Sequence, residues 1–492
     1  MPEPSTPADI ATAISRRTAG AARIVGHGVA AITDVTHDSR QAGPGVLFAA
    51  RPGAVSDGHD FAAAAVAAGS PAVLVERVLD VAVPQIVVDD VAEALGHAAA
   101  VVHGDPTDDI AVLGVTGTNG KTTTTYLLDA VWRAAGHVTG LIGTVETRVA
   151  GTAVPGIRTT PEASDTQRLL ARMRREGVTA ASMEVSSHGL ALGRLNGVRF
   201  AAALFTNLSQ DHLDFHADME DYFRAKARLF TPGFTPIGVV TVDDPWGARL
   251  AERADVEVWT LSRRGGADVT ATDVVTTAEG ATFTADVRGS RLAVRIALPG
   301  DYNVTNALGA LATAHAAGVP LDVAAEGLAT LPGVPGRMER VDVGQPFGVL
   351  VDYAHSPDSV AGVLAAARGV AEGRVIVVIG CGGDRDAAKR PLMARAAVAG
   401  ADVAILTSDN PRSEDPEAIL DDMVAGLADP SAARRITDRA EAIAAAVGDA
   451  RPGDVVVIAG KGHEPYQELA DGRIDFDDRL VARAALAGRV GR

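Results

Sequence analysis

The chain has 492 residues, and a chain of this length is expected to form about three domains rather than one. Hydrophobic residues make up 47% of it and charged residues 22%, which is an ordinary balance for globular domains with buried cores. The formal net charge of -17 argues against binding to nucleic acid or to an anionic membrane, because both need an excess of Lys and Arg.

The single cysteine, Cys381, excludes an internal disulfide framework and is typical of a reducing compartment. The first residues lack the basic and apolar segments of a signal peptide, and no apolar run is long enough for a membrane span. These features predict a cytoplasmic protein with no membrane insertion.

Short Val/Ile-rich runs alternate with Ala-rich helical stretches along the whole chain, a pattern that predicts the α/β class with parallel sheets covered by helices. Gly, Pro and Asp cluster at residues 103–109, and Pro and Gly cluster at residues 331–337, where they interrupt the pattern. We therefore predict three domains, at residues 1–108, 109–336 and 337–492.

A Gly-rich loop, GVTGTNGKT, lies at residues 114–122 between an apolar run and a predicted helix that begins near Lys121. This context is typical of a phosphate-binding loop, because glycines let backbone N–H groups surround phosphates at a helix N-terminus. Lys121 would reach the β and γ phosphates, and the Thr122 hydroxyl would face Mg²⁺. The general pattern has Gly where this chain has Val115, so an ordinary Gly-rich turn is the alternative.

Polar residues follow two further predicted strands of the same domain. Glu184 ends one strand, and Asn207, Asp211 and His212 follow another. Ligands bind beyond the carboxyl ends of parallel strands, so these groups are candidates for a site around Mg²⁺ and the γ phosphate. A histidine after a strand is otherwise a common loop or capping residue.

Lys226 lies on the apolar face of a predicted helix, three or four residues from Tyr222, Phe223, Leu229 and Phe230. One interpretation is a buried stem with its ammonium group reaching water. The other is a desolvated amine with a lowered pKa, which reacts with CO₂ to give a carbamate that can bind a metal.

Four apolar strands of the last domain end in polar loops, and three of these loops are expected to meet at one sheet edge. This places Arg385, Arg412, Lys461 and Glu464 near one another. Arginines pair with a carboxylate and Glu464 with an ammonium, so the cluster suits a zwitterionic ligand. A structural turn at Asn410-Pro411 is the alternative.

Ten motifs in this order resemble those of the Mur ligases across nearly the whole chain. They are GVTGTNGKT, MEVSSH, TNLSQDHLDFH, YFRAKARLF, YNVTNAL, GRMER, DYAHSPDS, GCGGDRD, DNPR and GKGHE. The resemblance implies Rossmann-like first and last domains around a P-loop ATPase-type domain. It also implies an ATP-dependent ligase of cytoplasmic peptidoglycan synthesis, which forms an acyl phosphate on a UDP-sugar peptide and transfers the acyl group to an amino acid.

The resemblance further implies a role for each matching residue, by ligand. ATP would be held by Gly117, Thr118, Asn119, Gly120, Lys121, Thr122, Thr123, Asn303, Arg337 and Asp352. Mg²⁺ would be held by Thr122, Glu184, His212 and a carbamylated Lys226, so the catalytic set would be Lys121, Glu184, His212 and Lys226. UDP-N-acetylmuramoyl-L-alanyl-D-glutamate would contact Ser39, Thr159, Thr160, Ser186 and Arg194. The amino acid would contact Arg385, Asp409, Asn410, Pro411, Arg412, Gly460 and Glu464.

In the family that the chain resembles, the DNPR loop accompanies meso-diaminopimelate, whereas lysine-adding relatives differ at the position of Arg412. Lysine has no distal carboxylate, so a buried guanidinium there would be left unpaired. Arg158 and Leu192 stand where some relatives have Asn and Gln, so no substrate contact is assigned to either. The family also implies a monomer. A folylpolyglutamate synthase, a P-loop switch or kinase, and a non-enzymatic scaffold are the alternatives.

Overall fold

A computed structural model describes residues 3–28, 30–53, 56–156 and 158–490. It contains three sheets flanked by helices and one separate hairpin, which confirms the predicted α/β class. Within these residues, no helix has both the length and the apolar character that a membrane crossing requires.

The first sheet has five strands in the order β1-β5-β4-β3-β2, all parallel except β1. Its strands are β1 Arg23–Val25, β2 Asp34–Thr36, β3 Val46–Ala49, β4 Val73–Val75 and β5 Gln85–Val87. Its helices are α1 Pro7–Arg17, α2 Ala62–Ala67 and α3 Val91–Val102. Both α1 and α3 begin at side-chain caps, Thr6 and Asp90, that accept hydrogen bonds from the first turn.

The second sheet has eleven strands, in the order β16-β15-β14-β13-β12-β11-β6-β10-β7-β8-β9. The strands are β6 Ala111–Thr116, β7 Thr139–Ile142, β8 Glu146–Val149, β9 Thr152–Pro155, β10 Ala180–Glu184, β11 Ala202–Phe205, β12 Ile237–Thr241, β13 Glu257–Leu261, β14 Val269–Thr277, β15 Gly280–Val287 and β16 Ser290–Ile296. The helices are α4 Lys121–Ala134, α5 Ala163–Arg175, α6 Ser187–Ala191, α7 Met219–Ala227, α8 Pro245–Arg253, α9 Asp301–Ala316 and α10 Leu321–Ala329.

Seven strands of this sheet, from β14 to β7, are parallel, and antiparallel hairpin strands extend both edges. The central strands β6, β10 and β11 are almost wholly buried because helices cover both faces. Their carboxyl ends therefore bring the loops after Thr116, Glu184 and Phe205 to one edge.

The third sheet has six strands in the order β17-β18-β22-β19-β20-β21, all parallel except β17. The strands are β17 Glu339–Arg340, β18 Gly348–Asp352, β19 Val375–Cys381, β20 Val403–Ser408, β21 Ala433–Arg435 and β22 Val455–Ala459, and the hairpin is β23 Tyr466–Leu469 with β24 Gly472–Asp475. The helices are α11 Pro357–Val370, α12 Arg390–Gly400, α13 Pro416–Val424, α14 Arg439–Asp449 and α15 Asp478–Val490.

The predicted elements around the motifs agree with the structure, except at the end of one helix. Helix α4 begins at Lys121, as predicted, and Glu184 is the last residue of β10. Helix α7, by contrast, ends at Ala227, so Leu229 and Phe230 lie in the following turn rather than on its face. Both are nonetheless buried in the core beside Tyr222, because hydrophobic burial does not require helical spacing.

Candidate active site

A cavity of about 1250 Å³ lies where loops of the second and third sheets meet. Most of the residues predicted for the site line it, among them the phosphate loop, Glu184, Lys226 and the DNPR loop. Three predicted residues do not line it, namely Gly117, Pro411 and Ser39. Gly117 and Pro411 belong to the lining loops, whereas Ser39 begins a short turn next to the first sheet and is not brought together with the others.

The phosphate loop has a conformation that requires its glycines. Gly117 has φ +148° and Gly120 has φ +88°, both in the region that side chains disfavour. A Cβ at Gly117 would also lie 1.9 Å from Thr206 Oγ1. Thr206 Oγ1 donates to Asn119 O (2.6 Å), and Asn119 N donates to Asn207 Oδ1 (2.9 Å). The loop after β11 therefore holds the phosphate loop in place.

Lys121 folds back over this loop, and its Nζ donates to Gly117 O (2.9 Å) and Thr118 O (2.8 Å). Burial lowers the pKa of Lys121 from its ordinary value, although Glu184 and Asp211 oppose that shift. An ammonium group held only by carbonyl oxygens gains more from a phosphate oxygen, because the phosphate carries a full charge. The position is therefore suited to an anionic ligand.

Lys226 does not reach solvent, since the side chain is about 1% exposed. Its Nζ donates to the same carbonyl as Lys121, Gly117 O, at 2.9 Å, and lies 4.7 Å from the centroid of the Tyr222 ring. Burial, followed by the nearby charge of Lys121, holds the pKa of Lys226 well below its ordinary value. The neutral, nucleophilic amine is thereby favoured.

Glu184 ends β10 and His212 lies in the loop after β11, at the same edge of the sheet. Glu184 is fully buried and accepts hydrogen bonds from Thr144 N (2.8 Å) and Thr144 Oγ1 (3.0 Å). Burial lowers the pKa of His212 to about 3 despite the adjacent Asp211, so its imidazole is neutral at pH 7. His212 has φ +56°, in the left-handed region that non-glycine residues rarely occupy.

The donor set can be compared with what Mg²⁺ requires. Mg²⁺ prefers oxygen ligands and usually takes one or two from the protein, with phosphate and water completing its octahedron. Thr122 and Glu184 supply such oxygens at the cavity wall. The neutral imidazole of His212 adds a nitrogen donor, and Lys226 becomes a ligand only as a carbamate. The two oxygen donors therefore fit Mg²⁺.

Two residues predicted for the nucleotide, Arg337 and Asp352, line the same cavity. Arg337 donates through Nη2 to Thr122 Oγ1 (3.0 Å), and its guanidinium lies 4.4 Å over the Tyr353 ring. Asp352 is the last residue of β18, and its two oxygens accept from Met338 N (2.7 Å) and Ala354 N (2.8 Å). Asp352 thus fixes the segment that carries Arg337.

Four of the five predicted UDP-substrate residues, Thr159, Thr160, Ser186 and Arg194, line the end of the cavity next to Glu184. Thr160 Oγ1 donates to Glu184 O (3.0 Å) and accepts from Ser186 N (3.0 Å), which joins two of the loops. Arg194 pairs through Nη2 with Glu162 Oε1 at 2.8 Å. Arg158 and Arg51 pair with the same Glu162 carboxylate. Three guanidinium groups around one carboxylate leave this end of the cavity positively charged.

Several of the residues predicted for the amino acid are held by hydrogen bonds at the edge of the third sheet. Lys461 Nζ donates to Asn410 Oδ1 (2.9 Å), and Asn410 Nδ2 donates to Glu464 Oε2 (2.8 Å). Arg412 donates through Nη1 to Gly383 O (2.6 Å), in the loop that also carries Arg385. Lys461 and Glu464 are therefore brought together as predicted, and Arg385 and Arg412 lie in the loops after β19 and β20, where both line the cavity. The observed turn at Asn410-Pro411 serves to hold these side chains.

Lys389 lines the same cavity but was not among the residues predicted from the motifs. Its side chain is 13% exposed, and its Nζ lies 3.8 Å from Asp211 Oδ1. A compositional signal was available, because only four of the 45 Lys and Arg residues are lysines. Lys121, Lys226 and Lys389 all line the cavity, and Lys461 is buried behind its amino-acid end.

Comparisons with known proteins agree over most of the chain. Family models match in three segments: "Mur ligase family, catalytic domain" at residues 31–103, "Mur ligase middle domain" at 115–314, and "Mur ligase, glutamate ligase domain" at 336–462. A UDP-N-acetylmuramoyl-L-alanyl-D-glutamate--2,6-diaminopimelate ligase from Streptomyces avermitilis is 50% identical over 475 residues, 94% of each chain.

Two solved structures bear on the fold. A structure of a UDP-N-acetylmuramoyl-L-alanyl-D-glutamate--2,6-diaminopimelate ligase has a TM-score of 0.68 and 37% identity, and covers 94% of this chain and 96% of its own. Folylpolyglutamate synthase from Mycobacterium tuberculosis, complexed with ADP and AMPPCP, has a TM-score of 0.61 at 20% identity. It covers 95% of its own chain but 81% of this one. At that identity the second likeness concerns the fold alone.

Proposed function

The chain belongs to the Mur ligase family and is an ATP-dependent ligase that forms amide bonds, and from this premise we propose that it adds meso-2,6-diaminopimelate to UDP-N-acetylmuramoyl-L-alanyl-D-glutamate. The observation that carries the proposal is a single cavity with the phosphate loop on one side and the Arg412 and Glu464 group on the other. Such an arrangement lets a carboxylate be activated and an amino acid attack it without either leaving the site.

Activation is required because a carboxylate is a poor electrophile. In the proposed first step, an oxygen of the D-glutamate γ-carboxylate attacks the γ phosphorus of ATP, an acyl phosphate forms and ADP leaves. Both reactants are anionic, so cationic groups must stabilise the charge that develops between them. Lys121 and Arg337, which flank Thr122, are the groups suited to that task.

In the proposed second step, the neutral amine of the amino acid attacks the acyl carbon, phosphate leaves, and the attacking nitrogen loses a proton. That proton passes to the departing phosphate, which leaves as a basic anion. In this step the residues of the chain position the reactants and stabilise charge.

Magnesium ion is the proposed metal, held by Thr122 and Glu184 with His212 alongside. When bound, it would neutralise phosphate charge and orient the γ phosphate. We propose that Lys226 is carbamylated, since its buried amine has a lowered pKa and lies beside Lys121. A carbamate would replace the neutral amine by an anion next to Gly117 O.

Recognition of the amino acid is proposed to rest on Arg385, Asp409, Asn410, Pro411, Arg412, Gly460 and Glu464. Arg412 would pair with the distal carboxylate, and Glu464 with the distal ammonium group. Ser39, Thr159, Thr160, Ser186 and Arg194 are proposed for the UDP substrate, and Asn303 and Asp352 for the nucleotide with the phosphate loop.

The remaining sequence predictions are kept as proposals. The three sheets occupy residues 23–87, 111–296 and 339–459, which supports domains at 1–108, 109–336 and 337–492. We also propose a monomer that acts in the cytoplasm.

The decisive experiment incubates the protein with ATP, Mg²⁺ and UDP-N-acetylmuramoyl-L-alanyl-D-glutamate, and offers meso-diaminopimelate or L-lysine in parallel. Mass spectrometry should detect ADP and a conjugate with diaminopimelate. A conjugate with lysine alone would refute the proposed specificity, and no conjugate with either amino acid would refute the ligase. Phosphorylated substrate as the final product would instead indicate a kinase, and glutamate addition to a folate would indicate a folylpolyglutamate synthase.

A further inference from the structure

The hairpin β23–β24 packs against the loop that carries Arg412, although no motif drew attention to it. Gln467 Nε2 donates to Asp409 O (2.6 Å), and Glu468 N donates to Asn410 Oδ1 (3.0 Å). The backbone N of Arg412 donates in turn to Glu468 O (3.0 Å). The hairpin is thus fixed to the DNPR loop by its backbone as well as its side chains.

The backbone of Arg412 needs such support. It has φ +53°, in the left-handed region that non-glycine residues rarely occupy. A conformation of this kind persists only where surrounding contacts impose it, and strained residues of this kind cluster at functional sites. Here the contact is the hydrogen bond to Glu468 O.

The Glu468 side chain also holds the guanidinium group. Arg412 Nε donates to Glu468 Oε2 (3.2 Å), and Arg473 Nη2 donates to Glu468 Oε1 (3.3 Å). Arg412 Nη1 is held separately by Gly383 O (2.6 Å). Two of the three guanidinium nitrogens of Arg412 are therefore anchored, which leaves the third for a ligand.

The charges around Glu468 are unequal. Arg412 and Arg473 bring two positive charges to one carboxylate, and all three residues line the cavity. Arg473 also lies 4.4 Å over the Tyr466 ring, which limits where its guanidinium can move. The group keeps one net positive charge, which a ligand carboxylate would neutralise.

We propose that Glu468 is a positioning residue for amino-acid specificity, which orients the Arg412 guanidinium toward the distal carboxylate of the incoming amino acid. The inference rests on the proposed function and extends it from the DNPR loop to the hairpin. Glu468 acts through Arg412 and touches no reacting atom. Fixing the guanidinium in advance lowers the entropy lost on binding, so its effect falls on ligand affinity rather than on the chemical step.

The test compares Glu468→Gln with wild type in steady-state ligation, using meso-diaminopimelate and L-lysine. Gln keeps the shape but removes the charge that holds both arginines. We expect the KM for diaminopimelate to rise about 10-fold, as for loss of a charge-assisted hydrogen bond. The kcat, the KM for ATP and the weak use of lysine should stay within about twofold of wild type.

Asp475→Asn is the matched control, because Asp475 is an exposed carboxylate on the same hairpin. It should leave every constant unchanged. Arg473→Gln is the second variant, because it removes the ion pair between Arg473 and Glu468. Arg473 is more exposed than Arg412, so this variant should raise the KM for diaminopimelate by a smaller factor.

An unchanged KM for diaminopimelate in Glu468→Gln would overturn the inference, and so would an equal loss with both amino acids, which indicates a general structural role. Those outcomes are distinct from failure of the proposed function, in which the wild-type protein itself makes no diaminopimelate conjugate. That result would overturn both.

Discussion

Lysine and arginine are used differently in this chain. Arginine carries most of the positive charge, whereas the four lysines are all found at the cavity or directly behind it. The difference has a chemical basis, because an arginine side chain keeps its proton in proteins, while a buried lysine can lose it and presents a compact ammonium group. Lys226 is a lysine that can lose its proton, since burial lowers its pKa.

Lys389 is expected to act through its compact ammonium group. Its nearest carboxylate oxygen, Asp211 Oδ1, is 3.8 Å away, which is too far for a direct hydrogen bond. A largely buried ammonium group without such a bond gains most from an anionic ligand. We expect Lys389→Met to lower kcat/KM for ligation by about 10- to 100-fold, and Lys389→Arg to recover only part of the loss.

Arg395→Met provides the comparison for Lys389, because Arg395 is exposed on the same helix, α12, and donates only to Gly426 O at 3.1 Å. It should keep wild-type kinetics. If Lys389→Met also keeps them, with unchanged thermal stability, Lys389 has no role in ligation.

Substitution of Arg412 is expected to affect the amino acid and not ATP. Arg412→Ala should weaken the use of meso-diaminopimelate by about 10-fold or more, because its distal carboxylate loses a charged partner. ATP affinity, measured by calorimetry on the same sample, should not change, since Arg412 lies on the amino-acid side of the cavity. An equal loss of ATP affinity would contradict this division of the site.

Helix α5 shows how the first two sheets are held together. Arg168 on this helix donates through Nε to both oxygens of Asp34 (3.0 and 3.2 Å) and through Nη2 to Val35 O (3.0 Å). His103 Nε2 lies 3.2 Å from the same Asp34 carboxylate. Although burial acts in the opposite direction, hydrogen bonds from His103 and Arg168 lower the pKa of Asp34 to about 2.

This contact predicts a pH dependence of stability. Because the pKa of Asp34 is lower in the folded state, its contribution is complete above the ordinary carboxyl pKa of about 4 and is lost as the pH falls towards about 2. Asp34→Asn should therefore reduce the free energy of unfolding by about 1 kcal/mol at pH 7, a value reduced for partial exposure.

The measurement is urea unfolding at a series of pH values from 7 down to 3. The difference between wild type and Asp34→Asn should stay constant to about pH 4 and shrink below it. Asp165→Asn serves as the control, because Asp165 also pairs with Arg168 (2.7 Å) but is more exposed, and it should cost less. A difference that grows as the pH falls would contradict the assignment.

The regions of the second and third sheets are joined across the cavity by contacts between their loops. Asp211 lies 3.7 Å from His355 Nε2 and 3.8 Å from Lys389 Nζ, and Arg337 reaches across to Thr122. Near the rim, Asp214 lies 3.9 Å from Arg385, which is more than half exposed. Buried charges are weakly screened and exposed ones strongly, so Asp211 should dominate the electrostatic attraction.

We expect Asp211→Asn to weaken this association and Asp214→Asn to leave it nearly unchanged. Small-angle scattering without ligands should show a larger radius of gyration for Asp211→Asn. Its KM for the amino acid should rise several-fold, because the proposed substrate sites lie on both sides of the gap. Equal dimensions for the two variants and wild type would show that Asp211 does not hold the sheets together.

Local patterns were sufficient to predict the loops of the site. The strands before Gly117 and Asn207 are recognisable from short apolar runs, and the start of α4 from its Lys-Thr pair. These signals involve only residues that are adjacent in the chain, and the structure has the predicted strands and helix there. The prediction that Leu229 and Phe230 share a helical face with Lys226 was wrong. The apolar spacing continues past Ala227, but the helix ends there and the following turn buries both residues in the core. The residue roles assigned by resemblance stay predictions.

The α/β class, the strand ends that carry polar groups and the motifs of the family could all be predicted from the sequence, because they depend on local periodicity and residue type. The tertiary structure alone decided which groups share a carboxylate or a carbonyl. Two lysines meet at Gly117 O, three arginines meet at Glu162, and Glu468 joins Arg412 to Arg473. Such contacts join residues distant in the chain or on different elements, and their geometry depends on how the sheets pack.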